Sequence, residues 1–285
     1  MTPFFRKIHG LGNDYLVAES LGEFHLQPAS IQAICNRHTG LGSDGILEPI
    51  ASKKADYGLR IHNPDGSEAE KSGNGLRIFA YWLVAYREAP SRFSVETLGG
   101  IVACEVEGTT VTVDMGYASA EPGDVPVLHD EPFVDTELPG LGGLRGTAIG
   151  IGNPHCVLFF DQDLDELPWR QWGPLIEHHS LFPNRTNVQF VQVLGENQLE
   201  IRIWERGAGE TAASGSSASA ACAAAVGKGL CSPGKINAHM PGGILEVWVH
   251  EDGQVRIRGP VEEIGAMHLN PDWLSERAYS VTNSH

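Results

Sequence analysis

The sequence predicts a mixed α/β protein built from two like halves, and three observations carry that prediction. Short runs alternating apolar and polar residues recur along the chain, the period-two pattern of half-buried strands. Two helical segments are apolar nearly all round, which marks them as buried helices rather than surface ones. Similar turns introduce both, Glu70-Lys71-Ser72-Gly73-Asn74-Gly75 and Glu210-Thr211-Ala212-Ala213-Ser214-Gly215-Ser216-Ser217, and the two serines stand half a chain apart in 285 residues. Duplication of one structural unit gives that spacing. At roughly 150 residues per domain the length suits two domains. Their expected extents are 1–117 and 118–262, with the segment 263–285 returning to the first.

Taken in order, residues 28–38 place Ile31, Ile34, Cys35 and His38 on one helical stripe, and Pro28 suits the first turn. Residues 74–86 form the first buried helix. Residues 111–115 alternate as a strand, and 122–139, rich in Pro, Asp and Glu, read as a loop-rich stretch near the boundary between the halves. A second amphipathic helix is expected over 168–181, with Trp169, Trp172, Ile176 and His179 on its stripe. Strand 199–204 precedes the second buried helix, 216–226, which is mostly alanine and slim enough for strands to wrap closely. Gly227-Lys228-Gly229 would cap its end, and 254–258 is a further strand.

Composition narrows the function. With 20 Lys+Arg against 36 Asp+Glu the net charge is −16, which repels phosphate backbones and anionic lipid, so neither nucleic acid nor a membrane is an expected partner. No apolar run approaches the ~18 residues of a membrane span, and the first residues lack a secretory h-region, so a cytoplasmic protein is expected. The five cysteines (Cys35, Cys104, Cys156, Cys222, Cys231) show neither CxxC nor Cys/His spacing. They read as free thiols, mostly buried, with no metal site.

A helix opened by Ser-Gly and further small residues offers unpaired backbone N–H groups and the positive end of the helix dipole, which together bind anions. Two such turns would grip one carboxylate from both sides, with Ser72 and Ser214 flanking the carbon that bears it. Polar clusters beside turns add to this: His9 to Tyr15, Asn63-Pro64-Asp65-Gly66-Ser67, Gly152-Asn153-Pro154-His155-Cys156, Asn184-Arg185-Thr186-Asn187, and Glu205-Arg206 with the glycines behind it. Glu205 and Arg206 directly follow a strand and can hold a zwitterion, the carboxylate taking an ammonium and the guanidinium a carboxylate.

The motifs HGLGNDY, NPDGSEAEKSGNGLRIFA, GNPHCV, NRTNVQFV and WERGAGETAASGSSASAA, in this order over residues 9–260, closely resemble those of the diaminopimelate epimerase family. The resemblance implies two pseudo-symmetric α/β domains, each a curved, mostly antiparallel sheet around a central helix, with the site between them. It implies an epimerase acting between LL- and meso-diaminopimelate in lysine and cell-wall biosynthesis, without metal or other cofactor. Its partner would be a small zwitterionic amino acid, and a homodimer is left open. Carried over by motif, Asn13, Asn63, Asn153, Asn187 and Arg206 would hold the distal end of the substrate. Backbone N–H groups at Gly73, Asn74, Gly215 and Ser216 would take the reacting carboxylate, with His155 and Glu205 beside the reacting amine.

One departure bears on the chemistry. The family's two catalytic cysteines align with Ser72 and Ser214, and a hydroxyl is a far weaker acid than a thiol of pKa ~8.5. Cys222 lies too far along its helix to substitute, Cys156 points to the opposite strand face from His155, and Lys71 and Glu70 adjoin Ser72. His155 and Glu205 are the better alternative bases. Three readings stay open: an epimerase working through Ser72 and Ser214, an isomerase of the same fold with a His155 or Glu205 base and another substrate, and an amino-acid-binding protein without turnover. The last would also arise from a double Cys→Ser change.

Overall fold

The computed structural model describes residues 2–273. In chain order the first elements are β1 (Phe4–Gly10), β2 (Asn13–Ser20), α1 (Pro28–Cys35), β3 (Ile46–Ile50), β4 (Tyr57–His62), β5 (Glu68–Ala69) and α2 (Gly73–Arg87). Next come β6 (Arg92–Thr97), β7 (Gly100–Glu107), β8 (Thr110–Tyr117), β9 (Thr136–Glu137), β10 (Arg145–Gly150) and β11 (Pro154–Phe160). The remainder are α3 (Trp169–Glu177), β12 (Asn187–Gly195), β13 (Gln198–Glu205), β14 (Gly209–Thr211), α4 (Gly215–Gly227), β15 (Gly234–Met240), β16 (Gly243–Val249), β17 (Gln254–Pro260) and β18 (Glu262–His268). The mixed α/β class is as the sequence predicts.

Contacts divide the chain into two units, Met1–Val111 with Pro260–His285, and Thr112–Gly259. Of the segment 263–285, residues 274–285 lie outside the described residues, while β18 pairs antiparallel with β1.

In the first unit β1 pairs antiparallel with β2, and β2 runs parallel to β3 after α1. β3 pairs antiparallel with β4, and β4 with β5. Then α2 intervenes, β6 returns parallel to β4, and β7 pairs antiparallel with β6. The second unit repeats this ladder step for step: β10 with β11, parallel β12 after α3, then β13, β14, α4, parallel β15, and antiparallel β16. Each parallel step needs a crossover, and in both units a helix supplies the first.

The cores repeat as well. In the first unit Ile31, Ile34 and Cys35 of α1 pack on Phe5, Leu16 and Ile46. In the second, Trp169 and Ile176 of α3 pack on Cys156, Leu158, Val188 and Phe190. The central helices α2 and α4 bury nearly all of their first turns.

Two helices end earlier than their apolar stripes suggest. Asn36, extended, stops α1 because its Oδ1 accepts the N–H groups of His38 and Thr39, a local bond that competes with the helix ladder. α3 stops at Glu177, one turn after Pro174, and His179 Nδ1 then accepts the Leu181 N–H.

Candidate functional site

Ser72 and Ser214 occupy the same structural position, the N-cap of a central helix. Both backbones are extended, as an N-cap requires. Ser72 Oγ accepts the Gly75 N–H at 3.0 Å, and Ser214 Oγ accepts the Ser217 N–H at 3.4 Å. The helical ladders then begin with Leu76 and Ala218 bonding back to the cap carbonyls. Their surroundings differ. The Tyr15 hydroxyl on β2 lies 3.1 Å from Ser72 Oγ, whereas the hydroxyl beside Ser214 Oγ is that of Ser216, at 3.4 Å.

Beneath the Ser72 turn a polar chain runs through the first unit. Asn74 Nδ2 donates to Asn13 Oδ1 at 3.1 Å, and Asn13 Nδ2 donates to Asp44 at 2.9 Å. Arg77, fully buried, donates to Asn74 Oδ1 at 2.6 Å and to the Pro260 carbonyl at 2.9 Å. Burial pushes its guanidinium down to about 10, so it stays charged at neutral pH, and among the described residues no carboxylate pairs with it. Asn63 stands apart: its hydrogen bonds stay within its own turn, to Ser67.

In the second unit the strand ends carry the polar groups. Asn153 Oδ1 lies 2.8 Å from His155 Nε2, and the Gln189 side-chain amide lies 3.0 Å from both His155 Nδ1 and Ser217 Oγ. The neutral ring donates from one nitrogen and accepts at the other, so Asn153 and Gln189 together engage both. Burial, with a smaller contribution from the charge of Arg206, pushes the imidazole down to about 3. Both ring nitrogens are engaged, which leaves no lone pair to take a substrate proton.

Asn187, also buried, donates to the Pro154 carbonyl and accepts the Arg206 N–H at 3.0 Å, tying β12 to the turn after β13. Arg206 itself reaches the Asn184 carbonyl, and Glu205 closes β13, half-buried. Through Gln189, the Asn153–His155 pair connects to Ser217 in the first turn of α4.

Three contributors escaped the sequence reading: Gln189, Arg77 and Glu177. The Glu177 carboxylate, 4% exposed, accepts from Trp204 Nε1 and the Gly207 N–H, both at 2.9 Å, and from Arg185 at 3.3 Å. It clamps both ends of the turn that carries Glu205 and Arg206. A polar residue amid an apolar segment was the available signal for Gln189 and Arg77. All five cysteines are buried, and none is in a disulfide among the described residues. Burial raises Cys35 to about 11, Cys156 to about 12 and Cys222 well above the usual thiol range, so none of these three supplies a thiolate. Among the described residues no three His, Cys, Asp or Glu side chains gather as metal ligands.

Against this geometry the comparisons with known proteins agree. A family model described as diaminopimelate epimerase matches residues 5–121 and 147–264. The chain is 47% identical over 275 residues to diaminopimelate epimerase 2 of Nostoc sp., covering 94% of this chain and 96% of that protein. It is 41% identical over 272 residues to the diaminopimelate epimerase of Pelotomaculum thermopropionicum, covering 91% and 96% respectively. Among solved structures, a hydroxyproline epimerase from Agrobacterium vitis with bound trans-4-OH-L-proline superposes with a TM-score of 0.70 at 14% identity, over 95% of this chain and 93% of that one. At that identity the likeness concerns the fold alone.

Proposed function

This chain belongs to the diaminopimelate epimerase family, and from that premise we propose that it is a cofactor-independent amino-acid epimerase interconverting LL- and meso-diaminopimelate, with Ser72 and Ser214 where the family carries cysteines. The observation that carries this reading is the repeated N-cap geometry. Each serine caps a buried helix whose first turn, Gly73-Asn74 in one and Gly215-Ser216 in the other, precedes the helical ladder. Such turns hold a carboxylate through backbone N–H groups and the dipole. A carboxylate bound there acidifies nothing by itself. It places the α-carbon beside the hydroxyls and spreads the charge that forms when the proton leaves.

The other roles proposed here are those the family motifs imply. Arg206 supplies the cation for the distal carboxylate, with Asn153 and Asn187 orienting the turn around it, and Asn13 acts through Asn74. Glu205 faces the ammonium. His155, buried, neutral and engaged at both ring nitrogens, aims Asn153 rather than serving as a base.

Calorimetric titration with diaminopimelate, paired with chiral analysis of the product, tests the reading. Binding together with formation of the second epimer supports it, and absence of binding overturns it. A second reading, binding without turnover, rests on the weak acidity of serine, and is the outcome if affinity is present and no epimer forms.

A further inference from the structure

We infer that Tyr15 is the proton reservoir behind Ser72, so that the Ser72 face of the site transfers protons through a hydroxyl pair, Tyr15 Oη and Ser72 Oγ. The inference rests on the epimerase reading above and supplies the acid and base that a lone serine lacks.

A hydroxyl has one hydrogen and two acceptor positions. One acceptor position of Ser72 Oγ is filled by the Gly75 N–H at 3.0 Å, which also fixes the side chain. The Tyr15 hydroxyl at 3.1 Å engages either the remaining lone pair or the hydrogen. These two arrangements are the two states a proton-transfer group needs. When Tyr15 donates, the Ser72 hydrogen is left for the substrate. When Tyr15 is a phenolate and accepts that hydrogen, a Ser72 lone pair is left for the substrate.

In the abstraction direction the Cα–H bond breaks and its electron pair stays on the substrate, spread into the carboxylate. The proton goes to Ser72 Oγ while the proton of Ser72 passes to the Tyr15 phenolate, giving a neutral phenol. Delivery is the reverse, and serine is unchanged in both. A phenol of pKa ~10 is about thirty-fold less ionised at neutral pH than a thiol of pKa ~8.5, a gap that a stronger base partly offsets.

The surroundings are built for this contact. Tyr15 is 7% exposed, its backbone held opposite Ile8 of β1. Its ring lies so close to Gly45 that a Cβ there would stand 2.7 Å from Cε1, and a Cβ at position 75 would stand 3.2 Å from Ser72 Oγ. Glycine at both places admits the pair. Ser214 has no such partner: its Oγ meets Ser216 Oγ and the Ser217 N–H.

The test follows α-deuterium incorporation from deuterium oxide into diaminopimelate by wild type, Tyr15→Phe and Tyr15→Phe/Ser72→Cys, with binding measured calorimetrically for each. The relay predicts that Tyr15→Phe lowers exchange by about a hundred-fold, in the range of general acid–base effects, with affinity kept. It also predicts that adding Ser72→Cys restores exchange, since a thiol carries its own acidity. Unchanged exchange in Tyr15→Phe overturns the proposal, as does failure of the cysteine to rescue a variant that still binds, because a merely structural tyrosine would be missed equally by thiol and hydroxyl. Wild type that binds without exchanging overturns the relay alone. Wild type that does not bind overturns the epimerase reading beneath it.

Discussion

His155 illustrates how burial decides what a titratable residue does. Out of water, with Gln189 at one ring nitrogen and Asn153 at the other, it is held neutral with its pKa pushed down to about 3. The unfolded chain has a histidine of pKa ~6.5, so below that pH the unfolded state takes up a proton that the native state refuses. Stability conferred by neutral His155 is therefore complete above pH ~6.5 and lost as pH falls towards 3. From pH 7 to pH 5 wild type should lose about 2 kcal/mol more than His155→Gln, at about 1.4 kcal/mol per pH unit once below the unfolded pKa. Urea unfolding of both proteins at the two pH values measures this, and equal losses would place His155 in water. A sequence shows His155 beside Asn153 and suggests a base. Only the second partner, Gln189 on the neighbouring strand, shows that both ring nitrogens are engaged.

At the scale of elements, the buried helices were legible because they are apolar all round and each is opened by a serine. The turn after β13 was legible only as a Glu-Arg pair. What shapes that turn is Glu177 at the end of α3, invisible to local pattern because its partners Trp204 and Gly207 lie 27 and 30 residues further on. A carboxylate accepting from two donors on a single turn fixes the direction in which Glu205 and Arg206 leave the strand. Glu177→Leu should destabilise the protein by about 2–4 kcal/mol, since each buried donor left without an acceptor costs ~1–3 kcal/mol. In turnover it should raise KM for diaminopimelate more than it lowers kcat, because the turn binds rather than reacts. Glu177→Gln, which keeps one acceptor, should recover part of both. Urea unfolding with steady-state kinetics checks this, and a variant with wild-type KM would detach Glu177 from substrate binding.

For the whole molecule, the repeated serine turns announced a duplication, and the strand ladder repeats in order around α2 and α4. The sequence does not reveal that duplication stops short of the chemistry. Position 15 on β2 brings a phenol to Ser72, and the corresponding strand β11 brings His155 to Gln189 instead of an acid to Ser214. In the proposed epimerase reaction one face needs a competent donor and the other a competent base, so the weaker side sets the rate of inversion while the stronger side alone sets isotope exchange. Wild type should therefore incorporate deuterium at the α-carbon faster than it forms the opposite epimer. Ser214→Cys, supplying a thiol whose pKa a helix N-terminus lowers, should raise inversion far more than Ser72→Cys, which replaces a face already served by Tyr15. The double change should exceed Ser214→Cys only modestly. Deuterium incorporation measured against epimer formation for the two single variants and the double variant decides the matter, and equal gains from the two single changes would show that both faces of the native site are equally limited.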